Sequence, residues 1–323
     1  MRNDRIIILA VERVLKEYSD EDHILSMCEF RNRIRQEYGI YPDRRTVGSA
    51  IEELTEFGYD ISTYSENGKG YYLRERKFEP SEIRLLMDAI YSFKGIPSKQ
   101  SAALIEKLQS DMSRYQRREY RYLKSLKPPF KTKNRQVFLN IELIDEAIKQ
   151  NRKISFIYNR YDFSLTLQPT KTRAFEVDPY LMISANERYY LIANHSYYNN
   201  ISHYRLDRMT EVRILDTDCK QIPKEIDLNE YLESMSKVYF GEEERVTFRC
   251  KKTILDDVID RFGNNIMPYN ITDETFDFSI KLVDKAAIFF ALEYLSRCEI
   301  LSPESARERM RRYIGSGVEK YMK

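Results

Sequence analysis

The spacing of apolar residues changes along this chain, and this change constrains the fold more than any other feature of the sequence. Up to about residue 150 the apolar residues recur every three or four positions, which is the period of an amphipathic helix. Between about residues 152 and 218 they alternate with polar residues, which is the period of a half-buried strand. After about residue 244 short stretches of both kinds follow one another. The sequence therefore predicts a multidomain α+β fold.

These patterns predict four segments. Residues 1–77 carry three helical stripes and then a hairpin signal, an Asn67-Gly68 pair between two short Tyr-rich runs. Residues 78–135 carry two more helices, which we expect to form a linker that ends in a basic segment. Residues 136–220 combine one helix with a small, strongly twisted sheet or barrel, and residues 244–323 are expected to form an α+β unit.

Composition excludes several classes of protein. The chain has 323 residues, of which 42% are hydrophobic, so it can build two or three cores. No apolar run approaches the roughly 18 residues that cross a membrane, and charged residues interrupt the only apolar run near the N-terminus, so we expect no signal peptide. The four cysteines are far apart in sequence, which favours free thiols in a reducing cytoplasm. The net charge of +2 points to no particular partner.

The sequence carries none of the common catalytic motifs. It has no G-x-S-x-G, no P-loop and no H-E-x-x-H. His195 and His203 could lie near one another in the predicted sheet, but no carboxylates flank them in the way that a metal site requires. We therefore expect no catalytic residues, no metal, no cofactor and no enzymatic activity.

The third predicted helix, over residues 44–57, has its charges reversed relative to its dipole. Asp43 is a good N-cap and Gly58 ends the helix, yet the first turn carries Arg44 and Arg45, and the acids follow later. A recognition helix inserts its N-terminal residues into the major groove, where Arg pairs with guanine and phosphates lie on either side. We interpret the reversal as a DNA-facing helix tip. The alternative is a solvated helix whose charges are not optimised.

The predicted hairpin after this helix would serve as the wing of a winged helix-turn-helix. Residues 1–77 hold 13 basic and 15 acidic side chains, so affinity for DNA would rest on local clusters. The predicted DNA contacts are Arg44, Arg45, Thr46, Ser49 and Lys69.

The basic segment, residues 114–135, is the main charge asymmetry of the chain, with nine basic side chains and one acid. It could follow a nucleic-acid backbone while Tyr115, Tyr120 and Tyr122 stack on bases. Alternatively it is a solvated linker, which the helix-breaking Pro128-Pro129 pair favours.

Two stretches of this sequence resemble a known family. "DRRTVGSAIEELTEFGYDI" followed by "GKGYYL" resembles the N-terminal winged helix-turn-helix of bacterial WYL-domain transcriptional regulators. "VDPYLMISANERYYLIANHSYYNNISHYRLDRM" resembles the WYL domain, with Tyr189-Tyr190-Leu191 at the family's Trp-Tyr-Leu and Arg205-Leu206-Asp207-Arg208 at its Arg-Leu-Asp-Arg. Tyr189 departs from the family's Trp. The stretch from "DDVIDRFG" to "EILSPESARERM" resembles the C-terminal extension domain.

The resemblance implies an SH3-like (Sm-like) small β-barrel that senses a ligand, sometimes a nucleotide or nucleic acid. If Asn199-Asn200 form a two-residue turn, Asn194 lies opposite Arg205. One face of the hairpin would then be semi-polar and the other, with Tyr189, would be core. The predicted ligand-binding residues are Tyr190, Asn194, His203, Arg205 and Arg208, whose guanidinium groups suit phosphate or carboxylate. Alternatively, Asp207 and neighbouring acids pair with the arginines structurally.

The function that the resemblance implies is ligand-responsive, DNA-binding transcriptional regulation in the cytoplasm. The expected partners are a double-stranded DNA operator, a nucleotide or nucleic-acid effector, and a second copy of the chain that dimerises through residues 244–323. The alternative is an accessory protein of a phage-defence or RNA-guided nuclease system, which would bind RNA or single strands through the basic segment.

Overall fold

The computed structural model of the chain describes residues 2–120, 130–195, 200–221, 243–264 and 266–322. It has the predicted multidomain α+β fold. The chain divides into two compact units, each built from discontinuous stretches. The first unit comprises Met1–Leu143, Ile157–Thr172 and Leu206–Glu211, and the second comprises Ile144–Phe156, Arg173–Arg205 and Val212–Lys323. Within the described residues, no helix is long and apolar enough to cross a membrane.

Three helices and a wing open the first unit. The elements are α1 (Arg2–Tyr18), α2 (Met27–Tyr38), α3 (Arg44–Glu56), β1 (Ile61–Ser62), α4 (Tyr64–Asn67) and β2 (Tyr72–Leu73). The apolar stripes of α1, α2 and α3 meet in one core around Val11, Phe30 and Ile51. Local signals set the helix ends: Ser26 and Glu29 form a capping box at the start of α2, and Gly39 ends it in the left-handed conformation.

The wing differs from the predicted hairpin. A short helix, α4, occupies the position of the expected Asn67-Gly68 turn, and the paired strands are only two residues long. Thr63 caps α4 together with Glu66, and this local capping competes with a tight turn. The Asn67 side chain then organises the wing, since its amide donates to the Ser62 hydroxyl and the Gly70 carbonyl, at 2.8 and 3.0 Å.

Three further helices follow the wing in the first unit: α5 (Pro80–Ser92), α6 (Ser98–Gln109) and α7 (Arg114–Glu119). Ile83 and Met87 of α5 share a small core with Met112. Lys131, from the predicted basic segment, is buried and donates to the carbonyl oxygens of Ile90 and Phe93 at the end of α5. The Lys131 side chain therefore caps the C-terminal end of α5 and does not present its charge to solvent.

A helix and a curled sheet form the middle of the chain. The elements are α8 (Val137–Lys149), β3 (Arg152–Tyr161), β4 (Leu167–Pro169), β5 (Phe175–Ala185), β6 (Arg188–His195), β7 (Asn200–Arg205) and β8 (Met209–Asp218). The strand order is β4-β3-β5-β6-β7, and β8 also pairs with β3. Because β3 pairs with three different strands, the sheet curls as a part of a barrel does.

The C-terminal part of the second unit is a three-stranded antiparallel sheet with helices packed on it. Its elements are β9 (Glu243–Lys251), α9 (Leu255–Phe262), β10 (Thr275–Val283), α10 (Asp284–Glu293), β11 (Cys298–Ser302) and α11 (Glu304–Tyr321). The strand order is β10-β9-β11, and Phe248, Phe278 and Phe290 form the centre of the core. Cys250 lies directly opposite Cys298 across β9 and β11, and both side chains are buried.

Candidate functional site

The N-terminal end of α3 presents two arginines to solvent. The Asp43 carboxylate accepts hydrogen bonds from the Thr46 backbone N–H, at 2.8 Å, and from its hydroxyl, at 3.1 Å. These hydrogen bonds hold the pKa of Asp43 below its usual value, so the cap is ionised at neutral pH. Arg44 and Arg45 are exposed, and neither forms an ion pair with another described residue. Ser49 is exposed one turn further along, whereas the Thr46 hydroxyl is already engaged in the cap.

Two arginines of α2 shape the turn that leads into α3, and the sequence patterns did not reveal them. The Arg31 Nε donates to the Pro42 carbonyl oxygen at 2.9 Å. The Arg35 guanidinium lies over the Tyr41 ring, 4.6 Å from its centroid, and Tyr41 is 72% exposed. The available signal was the i, i+4 spacing of the two arginines on α2, followed by an aromatic residue before α3.

Lys69, the predicted wing contact, is exposed, and its position depends on the Asn67 side chain. Its backbone N–H donates to Asn67 Oδ1 at 2.7 Å. The structure thus places Arg44, Arg45 and Ser49 on one helix tip and Lys69 on a separately organised wing.

The start of the basic segment packs as a helix, which neither prediction for that segment anticipated. The Tyr115 ring stacks on His23, with 3.6 Å between the ring centroids, and Arg117 forms an ion pair with Glu17. The Tyr120 hydroxyl donates to the Pro80 carbonyl oxygen at 3.5 Å. Tyr115 and Tyr120 are therefore packing residues. Residues 121–129, including the predicted Tyr122 contact, lie outside the described residues.

The β6–β7 pairing differs from the predicted one by four residues. Asn194 lies opposite Ile201, and Arg205 lies opposite Tyr190. Asn199 of the predicted two-residue turn lies outside the described residues. An even shift leaves each side chain on its predicted face. Tyr190, His203 and Arg205 therefore share one face, and we call these three residues the polar face. On the opposite face Leu191 and Tyr204 are buried as predicted, whereas Tyr189 is only half-buried.

Burial sets the charge on the polar face. It lowers the pKa of His203 to about 4, so this imidazole is neutral at pH 7. The permanent cation of the face is the Arg205 guanidinium.

Asn194 lies deeper than predicted, in a buried polar cluster of the second unit. Its exposed fraction is 2%, and its cross-strand neighbour Asp178 is completely buried. The Lys153 ammonium lies 3.4 Å from the Asp178 carboxylate. Burial first, and then the Asp178 charge, raise the pKa of Tyr180 to about 12. The Asn194 side chain is thus surrounded by interior groups and is not exposed to solvent.

Arg208 belongs to the first unit, where it ends a single 3-10 turn, Leu206–Arg208. Its guanidinium lies over the Tyr161 ring, 5.7 Å from the centroid. Its buried Nε has no hydrogen-bond partner among the described residues.

Three asparagines hold the backbone around this turn, and nothing in the sequence pattern marked them. The Asn140 amide donates to the Met209 carbonyl oxygen at 2.9 Å, and the Asn134 amide donates to the same oxygen at 2.7 Å. The Asn159 amide donates to the Arg208 carbonyl oxygen at 3.0 Å. The turn that carries Arg208 is therefore fixed by side chains distant in sequence.

The described residues offer no evident metal site. Among the described residues, no group of three or more His, Cys, Asp or Glu side chains is arranged to hold a metal ion.

Comparison with known proteins identifies the curled sheet. Residues 140–214 match the family model described as the WYL domain. Among solved structures, the chain is similar to the proteasome accessory factor B/C (PafBC) of Arthrobacter aurescens, at 14% identity, with a TM-score of 0.27 over 98% of this chain and 49% of that one. It is also similar to a CRISPR Cas-related protein, at 16% identity, with a TM-score of 0.41 over 98% of this chain and 85% of that one.

The chain thus spans about half the length of the PafBC chain that it matches. Comparison with curated protein sequences gives no match. The matched segment contains most of α8, the strands β3 to β7 and the Arg205-Leu206-Asp207-Arg208 element. The resemblance to the WYL domain is therefore confirmed for residues 140–214 of this chain.

Proposed function

We propose that this chain is a DNA-binding transcriptional regulator whose WYL domain responds to an anionic effector. The observation that carries the proposal is the exposed Arg44-Arg45 pair at the capped start of α3, within three helices followed by a wing. Arginines at this position are costly for a helix dipole, by a few tenths to about 1 kcal/mol each, and DNA phosphates and guanines would compensate for that cost.

The proposed DNA contacts divide into two kinds. Arg45 and Ser49 lie on the exposed face of α3 and would meet base edges in the major groove. Arg44, Lys69 and the Arg35–Tyr41 pair lie beside that helix or on the wing, where they would meet phosphates and fix the orientation of the protein.

The proposed effector site is the polar face of β6 and β7. Arg205 supplies a permanent positive charge opposite the Tyr190 ring, an arrangement that suits a phosphate or carboxylate attached to a planar group. Arg208 follows three residues later and remains a predicted contact. Binding there would change DNA affinity through a coupling free energy of typically 1–3 kcal/mol, between copies of a homodimer. We propose no enzymatic step.

Fluorescence anisotropy with duplex DNA from immediately upstream of the coding region tests the DNA-binding proposal. Titrations run at two salt concentrations, with scrambled duplex and single-stranded DNA as competitors. Arg45→Ala should weaken binding to the upstream duplex by about 1–3 kcal/mol. Lys99→Ala is the matched control, because Lys99 is an exposed cation at the start of α6. Equal binding to scrambled duplex at both salts would contradict sequence-specific regulation.

One surface favours the alternative, a nucleic-acid-binding accessory protein of a defence system. The hairpin between β3 and β4 carries a fully exposed Phe163 next to an exposed Tyr161 and Arg160. Exposed aromatics beside cations suit the stacking of unpaired bases, worth about 1–3 kcal/mol per base. The same assay separates the two functions. An accessory protein would bind single-stranded DNA more tightly than duplex DNA, and Phe163→Ala would abolish that preference. Arg45→Ala would then have no effect on binding.

A further inference from the structure

A cavity of about 580 Å³ lies in the first unit, where α1 meets α6 and α7. Its volume falls in the range of sites that bind small molecules. It is distinct from the polar face, since no residue of β6 or β7 lines it. The residues that matter for its chemistry are Tyr18, Gln109, Arg114, Arg117 and Arg118.

Two arginines on one face of α7 line this cavity. Arg114 and Arg118 are one helical turn apart, and neither forms an ion pair with another described residue. Arg114 is held in place by the ring of Tyr18, whose centroid lies 5.0 Å from its guanidinium carbon. Stacking on the ring orients a guanidinium and leaves its in-plane N–H donors available.

The amide of Gln109, a mostly buried residue, lines the same cavity. The Gln109 side chain is 8% exposed, and its amide makes no hydrogen bond to another described residue. The Gln109 amide is therefore available to donate a hydrogen bond to a ligand in the cavity.

The acids around the cavity do not cancel its positive charge. Glu17 already forms an ion pair with Arg117, and Glu106 is exposed to solvent. With Glu17 and Arg117 paired, the two charges of Arg114 and Arg118 outweigh the single charge of Glu106, so the lining keeps a net positive charge. An anion with several acceptor oxygens matches two guanidinium groups and one amide donor.

We propose that this cavity binds a small phosphate-bearing molecule. Arg114 and Arg118 bind the phosphate oxygens, and the Gln109 amide donates a hydrogen bond to the same ligand. The bound molecule bridges α1, a helix of the DNA-binding segment, and α7, a helix of the following linker. The site is a second input to the protein, and it does not depend on the effector role of the polar face.

Isothermal titration calorimetry of the full chain at constant ionic strength tests the proposal, with inorganic pyrophosphate and then AMP as probes. We expect one saturable site that Arg118→Gln weakens by about tenfold, which corresponds to about 1.4 kcal/mol. Arg118 is exposed, so its substitution leaves the fold intact. Gln109→Leu removes the amide donor and should also weaken binding, while Lys99→Gln and Arg205→Gln should leave the affinity within about twofold.

Three results would overturn the proposal. One is the absence of saturable binding of either probe up to about 5 mM, a concentration that reveals even millimolar affinity. Another is unchanged affinity in both Arg118→Gln and Gln109→Leu. The third is binding that Arg205→Gln abolishes, because it would assign the probe to the polar face.

A competition experiment distinguishes a free phosphate-bearing molecule from a nucleic-acid backbone as the source of the phosphate. A single-stranded oligonucleotide is titrated into the pyrophosphate-saturated protein. A small-molecule site is supported if the oligonucleotide leaves pyrophosphate bound. Displacement by the oligonucleotide, lost in Arg118→Gln, would overturn the small-molecule assignment in favour of a polymer contact.

Discussion

At the scale of single residues, the buried Asn140 side chain holds the turn that positions Arg208. Asn140 is 1% exposed, and its amide donates to the carbonyl oxygens of Leu206 and Met209, at 3.4 and 2.9 Å. Both acceptors flank the turn that carries Arg208. A substitution that removes the Asn140 amide therefore removes hydrogen bonds that hold this turn.

Asn140→Ala should lower the free energy of unfolding by about 1–3 kcal/mol, because it removes the buried hydrogen bonds to the carbonyl oxygens of Leu206 and Met209. Urea denaturation of the purified chain measures the change. Asn32→Ala is the control: Asn32 is exposed on α2, and alanine favours a helix. Equal unfolding free energies for the two variants would show that the Asn140 hydrogen bonds contribute nothing to stability.

Single residues differed in how well the sequence predicted them. The exposure of Arg44 and Arg45 follows from helical periodicity alone, because the apolar stripe of α3 defines the opposite face. The role of Asn140 was not predictable, since its acceptors lie 66 and 69 residues away and only the folded sheet brings them close. The burial of Asn194 has a similar origin, because the interior around Asp178 forms only when the strands pair.

At the scale of elements, the wing depends on a close approach between two backbones. Leu25 and Tyr71 exchange hydrogen bonds, at 2.9 and 2.8 Å, next to Gly70. A Cβ atom at Gly70 would lie 2.2 Å from the Leu25 carbonyl oxygen, closer than any side chain can approach backbone. Only glycine therefore fits at residue 70.

Gly70→Ala should cost about 1–3 kcal/mol of stability and should speed hydrogen exchange of the Tyr71 amide, because the wing must move away from Leu25. Gly48→Ala provides the opposite case: Gly48 lies in α3, and a Cβ there meets nothing within 4 Å. That variant should gain about 0.5–1 kcal/mol. Unfolding experiments and hydrogen exchange measure both, and a neutral Gly70→Ala would disprove the contact.

Elements were predictable where their ends carry local signals. Helix α2 has Ser26 at its start and Gly39 at its end, and helix α3 has Asp43, so sequence alone located them within a few residues. The wing was mispredicted because Thr63 caps a helical turn where Asn67-Gly68 suggested a hairpin. The β6–β7 register was mispredicted because hairpin register depends on loop length.

At the scale of the whole molecule, the last two turns of α11 leave an apolar stripe uncovered. Ile314, Val318 and Tyr321 lie along one side of the helix, with exposed fractions of 37%, 48% and 92%. The helix buries only Ala306 and Met310, near its start. Such a stripe suits the isologous contact of a two-fold dimer, which we expect of this protein.

Val318→Glu should convert the expected dimer into a monomer of 38.7 kDa, because it places a charge in the centre of the stripe. Light scattering coupled to size-exclusion chromatography measures the mass. Glu319→Lys is the control, since Glu319 is exposed on another side of the same helix and lies outside the stripe. A Val318→Glu variant that stays dimeric would place the interface elsewhere.

The fold class of the whole molecule was predictable, but the composition of its compact units was not. Apolar periodicity distinguishes the helical part from the strand-rich part, which is enough for a multidomain α+β prediction. Predicted segments are continuous in sequence, whereas each compact unit combines distant stretches. The first unit, for example, includes both Ile157–Thr172 and Leu206–Glu211. Long-range strand pairing creates this mixing, and periodicity contains no information about which strands pair.

The facing thiols of Cys250 and Cys298 have a practical consequence. Each lies in the C-terminal core, and the contact with Cys250 together with burial raises the pKa of Cys298 far above its ordinary value. A protonated, buried thiol does not react with an alkylating reagent until the sheet opens. The alkylation rate of these two cysteines, measured against that of exposed Cys28, therefore reports how often the C-terminal sheet opens.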